Sequence, residues 1–532
     1  MKKFRRIVTL ITAITLAAMV MSGCEIIDEL REEFTETTTE ITEGEDAPET
    51  PVTNSIALGI VDFDTFNPLL THSETVKECM EFVYEPLFDV DEKLRPVPVL
   101  AESYTVSPDG RTIEIQLRRD ITWQDGSPLT SQDAAYTLKQ IRAGLTMYTE
   151  NLLNVADYMG IDDDKLRITL NYAIPNFVTL LNFPIIKYRS DMSGTSAFVP
   201  VGTGAFRYAG QPNNDRLLFT AYDGYHGGRA NIDAINVYLV PDITKYESMF
   251  EASEIDLITG ETVDLTEYTP RGSAKNCEYI INDLTYLGFN TRKSELSGAD
   301  TRKGIAKVID KEGIVSSAIY SHGAAVDIPI NPSSILYYDT SGRIRRDESL
   351  AKSYLGNDGW GENAGGEYVR TVRGKEEKLS FEILTEAESA ERTAVAQKIA
   401  AELTDFGIPA SVNELPHEQF INKITAGDYD MMVNEISLEP NGDLTELISS
   451  AGNLMGYANV TLDTLVGQMG ITQDEEQLKE LYRQYGDGIL SDMPFAALYF
   501  GKSDIISGAK IKTELVPSVT RHFRNVNTWS VR

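Results

Sequence analysis

The chain has 532 residues, with 81 Asp and Glu against 48 Lys and Arg, and a formal charge of −33 at pH 7. An acidic excess of that size excludes the usual electrostatics of nucleic-acid binding, which needs a basic face; it serves solubility and can steer cationic ligands. Three cysteines and five scattered histidines form no CxxC, HExxH or other close-spaced ligand set, so neither a metal site nor a cofactor is expected.

The first element is an export signal. Lys2, Lys3, Arg5 and Arg6 precede an apolar run over residues 7–21 that is interrupted only by Thr9, Thr12 and Thr15. A run of about 15 residues is short for a membrane-spanning helix, which needs ~20. It closes on Ser22-Gly23-Cys24, small residues before a lone cysteine. This ending is similar to the lipobox of bacterial lipoproteins, in which the cysteine is acylated and the preceding peptide (here 1–23) is removed. The alternative is an ordinary signal peptide with a chance cysteine near its end. The resemblance implies lipid attachment at Cys24 and an address on the extracytoplasmic face of the cell membrane. Residues 25–51 then carry eleven acidic residues and one basic, Arg31. Such a segment cannot bury enough apolar area to offset chain entropy, so 24–53 reads as a disordered tether.

From residue 54 the pattern is mixed α/β, and about 480 residues are enough for two or three domains. Residues 104–117 read as a hairpin: Asp109-Gly110 supplies the turn, and Ile113, Ile115 and Leu117 alternate with polar residues. Thr130 or Ser131 opens a helix. Gly202-Thr203-Gly204 lacks the third glycine of a dinucleotide fingerprint and reads as a turn that needs backbone freedom. Residues 300–319 read as one helix containing Gly304, and 356–374 as a surface loop or insertion. Leu379, Phe381 and Ile383 alternate as a strand. Val395, Ile399, Leu403 and Phe406 give a helical face that ends at Gly407. A strand over 408–413, a helix over 417–426 and a strand over 429–436 complete a β-α-β-α-β order, which implies a largely parallel sheet. Cys79 and Cys277 either pair or remain two free thiols.

No nucleophile elbow and no P-loop is present, and with 81 carboxylates no acidic pair stands out as catalytic. The reading is a protein that is not an enzyme.

Several segments together resemble the bacterial extracellular solute-binding proteins of family 5, the peptide-binding components of ABC importers. They are Val83-Tyr84-Glu85-Pro86-Leu87-Phe88, Leu100-Ala101-Glu102-Ser103-Tyr104, Ser107-Pro108-Asp109-Gly110 and Trp123-Gln124-Asp125-Gly126-Ser127-Pro128-Leu129-Thr130. Further along come Pro200-Val201-Gly202-Thr203-Gly204, Tyr225-His226-Gly227-Gly228, Gly288-Phe289-Asn290-Thr291 and Gly427-Asp428-Tyr429-Asp430. Ala205 stands where the family usually has Pro, and His226 where it usually has Trp.

The resemblance implies a two-lobed, periplasmic-binding-protein-like α/β fold of the class II type. Lobe 1 would comprise 54–90, 199–275 and 505–532, with an inserted domain at 91–198; lobe 2 would be 276–504. Peptides would bind between the lobes and pass to membrane permease subunits, the binding protein acting as a monomer. Counting from Tyr429-Asp430, the family's anchor for a peptide α-ammonium falls on Glu439. Glu435 and Ser437 fall on backbone-pairing positions, with Asp443 as a second acid; on the facing lobe, His72 and Glu74 align with a second peptide-pairing segment. Other ligands taken by the family (an oligosaccharide, a nickel complex or an opine) and a surface sensor without transport are the alternatives.

Overall fold

Residues 54–531 are described by a computed structural model, apart from 145, 214, 261, 266–267, 269–271 and 341–344. The export signal, Cys24 and the tether lie outside the described residues.

The first body starts at β1 (Ser55–Val61), in which Ile56, Leu58 and Ile60 are buried. α1 (Glu74–Met80) follows; the hydroxyls of Ser73 and Thr75 donate to the Val61 carbonyl at 2.8 and 3.0 Å, which seats the helix on the end of β1. β2 (Phe88–Val90) and β3 (Pro96–Pro98) pair as a ribbon. The predicted hairpin is β4 (Ala101–Val106) and β5 (Thr112–Leu117). Its buried Ile113, Ile115 and Leu117 share a core with Ala134, Leu138 and Ile141 of α2 (Ser131–Arg142). Thr130 caps that helix through a capping box with Asp133. β6 (Val155–Asp162) and β7 (Lys165–Leu170) extend the hairpin into a four-stranded sheet of order β4-β5-β7-β6. β8 (Phe206–Asn213), β9 (Arg216–Ala221) and β10 (Ala234–Val240) then build a second sheet, β1-β10-β9-β8, with β1 parallel to β10.

The Gly202-Thr203-Gly204 segment has a different reason for its glycines than the one expected. A Cβ on Gly202 would lie 1.7 Å from the Val83 carbonyl oxygen, and one on Gly204 would lie 2.5 Å from that of Phe82. Close backbone approach, and not a left-handed turn, excludes side chains there. Beside it, His226 Nε2 lies 3.0 Å from both oxygens of buried Glu85, which also accept from Thr203 and Tyr225 hydroxyls at 2.9 Å each. The imidazole thus replaces an expected tryptophan as a polar tie between distant segments.

α3 (Ile243–Glu251) and β11 (Leu257–Thr259) lead into the fifteen-residue β12 (Lys275–Phe289). The second body begins beyond it. The single helix expected over 300–319 is two, α4 (Ala299–Val308) and α5 (Lys311–Ala318), because Asp310 turns its carboxylate to accept from Gly313 N–H at 3.0 Å and caps a new start. After β13 (Gly323–Ala325), α6 (Glu348–Asn357) packs onto α4 at Gly304, where a Cβ would meet Leu355 Cγ at 2.9 Å. The stretch 356–374, expected to be a loop, contributes β14 (Gly361–Glu362) and β15 (Tyr368–Val372) to a three-stranded sheet with β16 (Lys375–Lys378). Trp360 and Tyr368, both buried, pin it to the core.

The β-α-β-α-β unit is present as β17 (Phe381–Glu386), α7 (Ala390–Phe406), β18 (Ala410–Leu415), α8 (His417–Ala426) and β19 (Met431–Ser437). α7 ends at Gly407, whose φ of 103° is left-handed. β17 is parallel to β18 and β19, but the whole sheet is mixed: β19 runs antiparallel to β12. The parallel expectation therefore holds for three strands only. α9 (Thr445–Ile448), α10 (Val460–Ile471) and α11 (Glu475–Asp492) precede β20 (Phe495–Ser507), which pairs antiparallel along β12.

The cores define the bodies. Ile56, Phe88, Leu138, Phe206 and Phe219 pack with the C-terminal Ile511, Phe523 and Trp529. In the second body the mixed sheet separates a cluster with Leu287, Ile305 and Leu403 from one with Leu284, Tyr286 and Tyr482. β12 and β20 are the long connecting strands; their pairing is irregular between Ile280 and Leu284. Cys79 and Cys277 are free. No helix among the described residues is long and apolar enough to cross a membrane.

Candidate functional site

A cavity of about 430 Å³ lies where the bodies meet. Its first wall is α1 with the C-terminal segment. Glu78 Oε1 lies 3.1 Å from His522 Nδ1, and the Glu81 carboxylate accepts from the backbone N–H of His522 and Phe523 at 3.1 and 2.9 Å. Burial pushes the Glu81 carboxyl up, against the opposing pull of His522 and Arg521. Glu74 and Lys77, 3.4 Å apart, complete this wall.

Tyr148, Asn151 and Asn182, from the stretch that carries the β4–β7 sheet, form the second wall. Asn151 is held by donating to the Leu180 carbonyl at 2.9 Å.

The floor is the irregular part of β12, Ile281 to Asp283. Buried Asn331 donates to the Ile281 carbonyl at 3.0 Å and to Asn282 Oδ1 at 2.7 Å, which fixes that bend.

The last wall is the end of β19 and the turn after it, Ser437, Leu438, Glu439 and Pro440. β17 covers β19 only at Met431 and Met432. Leu438 N–H donates to the Asn282 carbonyl at 2.9 Å, so strand alternation turns the backbone groups of Glu435 and Ser437 away from β12. No strand among those described pairs with that outer edge.

The expected residues therefore separate. Glu439, Ser437 and Glu74 line the cavity together. Glu435 lines a second cavity, of about 400 Å³, with Glu446, Tyr286 and Asn434. Asp443 lines neither; its carboxylate accepts from Thr445 N–H at 2.9 Å and from the Thr445 hydroxyl, closing the turn into α9. His72 also stands outside both: its side chain is exposed, and its backbone N–H donates to Asp64 at 2.7 Å. Lys77, Glu78, Glu81, Asn151, Asp283 and His522 were not anticipated, because no local motif marks a residue that reaches a cavity from another element.

The electrostatics are one-sided. Glu74, Glu78 and Glu81 have basic neighbours in Lys77, His522 and Arg521. The side chains of Asp283 and Glu439 have no hydrogen-bond or ion-pair partner among the described residues. Glu439 is open to the water in the cavity yet surrounded by protein. That surrounding mass, with Glu150 and Glu446 nearby, raises its carboxyl above the ordinary 4.5. Glu435 is raised for the same leading reason, with Asp283 as the next contributor. Among the described residues, no Lys, Arg or His lines the second cavity.

Two bodies joined by long paired strands, with a polar cavity between them, define a solute-binding protein. Residues 95–453 match the bacterial extracellular solute-binding proteins, family 5 (middle region), and the chain belongs to that family. It is a solute-binding protein of an ABC importer. The oligopeptide-binding protein AppA of Bacillus subtilis is 24% identical over 465 residues, covering 82% of this chain and 84% of its own. The nickel-binding periplasmic protein of Escherichia coli is 24% identical over 475 residues, covering 84% and 89%. Among solved structures, HbpA2 from Haemophilus parasuis aligns with a TM-score of 0.76 at 19% identity, over 90% of this chain and 100% of that one. AppA from Bacillus subtilis, in complex with a nonapeptide, aligns with a TM-score of 0.61 at 21% identity, over 90% and 99%.

Proposed function

We propose that this protein captures peptides with a free amino terminus and delivers them to an ABC permease from a lipid anchor at Cys24. The observation that carries the reading is the Glu439 carboxylate, unpaired in a polar cavity at the end of the open β19 edge. An extended peptide has what that surface lacks: backbone donors and acceptors for Glu435 and Ser437, and an ammonium for Glu439. Asp283 adds a second negative charge to the same floor. Glu435 and Glu446, in a neighbouring cavity with no cation among its described lining residues, favour a basic side chain further along the ligand. The peptide-binding relative supports the same ligand class. The Cys24 anchor rests on the sequence before the tether.

The test is calorimetric titration with a nonapeptide carrying lysine and with its N-acetylated form. Losing a charged hydrogen bond costs about 1.5–3 kcal/mol, so acetylation and Glu439→Gln should each weaken binding by ~10–150-fold. Combining the two should add little. Unchanged affinity in both would remove Glu439 as the anchor, and no binding of any peptide would remove the ligand class.

A further inference from the structure

Outside the cavity, three side chains converge on the strands that connect the bodies. Glu278 of β12 and Asp504 of β20 are cross-strand partners, and His322 stands immediately before β13, which pairs on the other side of β20. One ligand atom from each lies within 4.8 Å of the other two. We propose that Glu278, His322 and Asp504 form a binding site for a first-row divalent transition metal, for which Zn²⁺ is the probe.

The geometry suits an ion. His322 Nδ1 and Asp504 Oδ2 are 3.2 Å apart. Two donors that share an ion at bonds of about 2.0–2.1 Å stand roughly 2.8–3.0 Å from each other in octahedral and roughly 3.3–3.4 Å in tetrahedral coordination, and the observed separation falls between the two. Asp504 is 2% exposed, and its other oxygen accepts from the Asn276 amide at 2.7 Å, the kind of outer partner that orients a ligating carboxylate. The backbone of His322 is fixed where its carbonyl accepts from Lys502 N–H at 3.0 Å. Glu278 is the exposed, adjustable member. An imidazole with two carboxylates is a donor set that zinc accepts, with room for water to complete its shell.

Lys502 makes the proposal sharp. Its ammonium is 2.6 Å from Glu278 Oε1, so a positive charge already balances this carboxylate. A metal would displace it from Glu278 and would leave two carboxylates, a neutral imidazole and a dication with no net charge. Lys502 is therefore a competitor, and its removal should tighten the metal. A simple ion-pair network predicts no such gain. The site also has structural leverage: it lies just before the irregular pairing that begins at Ile280, while His322 leads into the β13 edge of the second body's sheet.

The experiment is calorimetric titration of the full chain with Zn²⁺ at neutral pH, alongside His322→Ala, Glu278→Gln and Lys502→Met. One tight equivalent should bind. His322→Ala and Glu278→Gln should each weaken it at least tenfold, and Lys502→Met should strengthen it several-fold. If His322→Ala does not fold, the variants at exposed Glu278 (Glu278→Gln) and half-buried Lys502 (Lys502→Met) decide the matter between them. No tight equivalent in the wild-type chain, or affinity indifferent to Lys502→Met and Glu278→Gln, overturns the assignment.

Discussion

Replacing Gly470 by alanine should separate closure of the two bodies from their stability. Gly470 lies in the last turn of α10, on the second body, where alanine favours the helix by up to about 1 kcal/mol. Its new Cβ, however, would stand 2.5 Å from the carbonyl oxygen and 2.8 Å from the carbonyl carbon of Ala173, on the first body. The reverse contact is equally tight: a Cβ on Gly110 would lie 2.7 Å from the Gly470 carbonyl oxygen. The obstructing atoms are main chain, so relief requires the bodies to part. Overpacking of this kind costs about 1–3 kcal/mol, and here it acts only on the arrangement in which 110, 173 and 470 touch. If the ligand is held in that arrangement, a shifted equilibrium should weaken peptide binding by ~5–150-fold. Thermal unfolding without ligand should give a midpoint unchanged or slightly raised, while calorimetry with the nonapeptide should show the loss. Wild-type affinity would refute the reasoning, as would a fall in the unliganded midpoint large enough to explain the loss.

Gly202→Ala and Gly126→Ala make a contrasting pair. The first places a Cβ 1.7 Å from the Val83 carbonyl oxygen, whereas the second has a φ of 84° with nothing within 4 Å. Chemical denaturation should give about 3 kcal/mol or more of lost stability for Gly202 and about 1–2 kcal/mol for Gly126; equal losses would show that the close approach is not what requires Gly202. The pH dependence of binding follows from Glu439, whose carboxyl is raised above 4.5 by its protein surroundings, Glu150 and Glu446. An ammonium needs the ionised form, so affinity should fall as pH drops through that raised value, beginning above the range of an ordinary glutamate, and Glu439→Gln should flatten the profile. Without ligand the sign reverses. A carboxyl raised on folding contributes stability below its unfolded value and loses it as pH rises through the folded one. Glu439→Gln should therefore raise the unliganded thermal midpoint at pH 7 relative to pH 4; a midpoint lowered at pH 7 would contradict this.

Elements whose signals are local were legible in the sequence. The hairpin at 104–117 announces itself through Asp109-Gly110 and the alternation of Ile113, Ile115 and Leu117, and α7 through its apolar face and Gly407. What escaped depends on tertiary neighbours. Asp310 splits a helical pattern because its carboxylate finds Gly313 N–H, a choice that helical periodicity does not encode. The glycine- and charge-rich stretch at 356–374 looked like a loop because its strands are short. Only Trp360 and Tyr368 are buried there, and two aromatic residues make no period. The order β17-α7-β18-α8-β19 implies a largely parallel sheet because those strands are close in sequence, whereas β12, which runs antiparallel to β19, and β20, which pairs antiparallel with β12, lie far away in sequence on either side.

The cavity shows the same division more sharply. Counting from the Tyr429-Asp430 motif of the resembled family reaches Ser437 at the end of β19 and Glu439 just beyond it, because an unbroken strand keeps its register over that length. Asp443 could not be judged that way: the chain turns at Gly442, φ 78°, and counting loses its meaning beyond a turn. The opposite wall could not be reached by counting at all. Glu78 and Glu81 face a C-terminal segment more than 430 positions away, and only the folded core around Phe523 and Trp529 brings His522 to them. Those partners also explain the asymmetry of charge. Glu74 is matched by Lys77 on its own helix, and Glu78 and Glu81 by bases that travel with the C-terminus, whereas Asp283, on the connecting strand β12, and Glu439, just past β19, meet no base among the described residues. The uncompensated charge thus sits on one side of the cavity, where an incoming cation would be drawn to the open edge of β19 and not to α1.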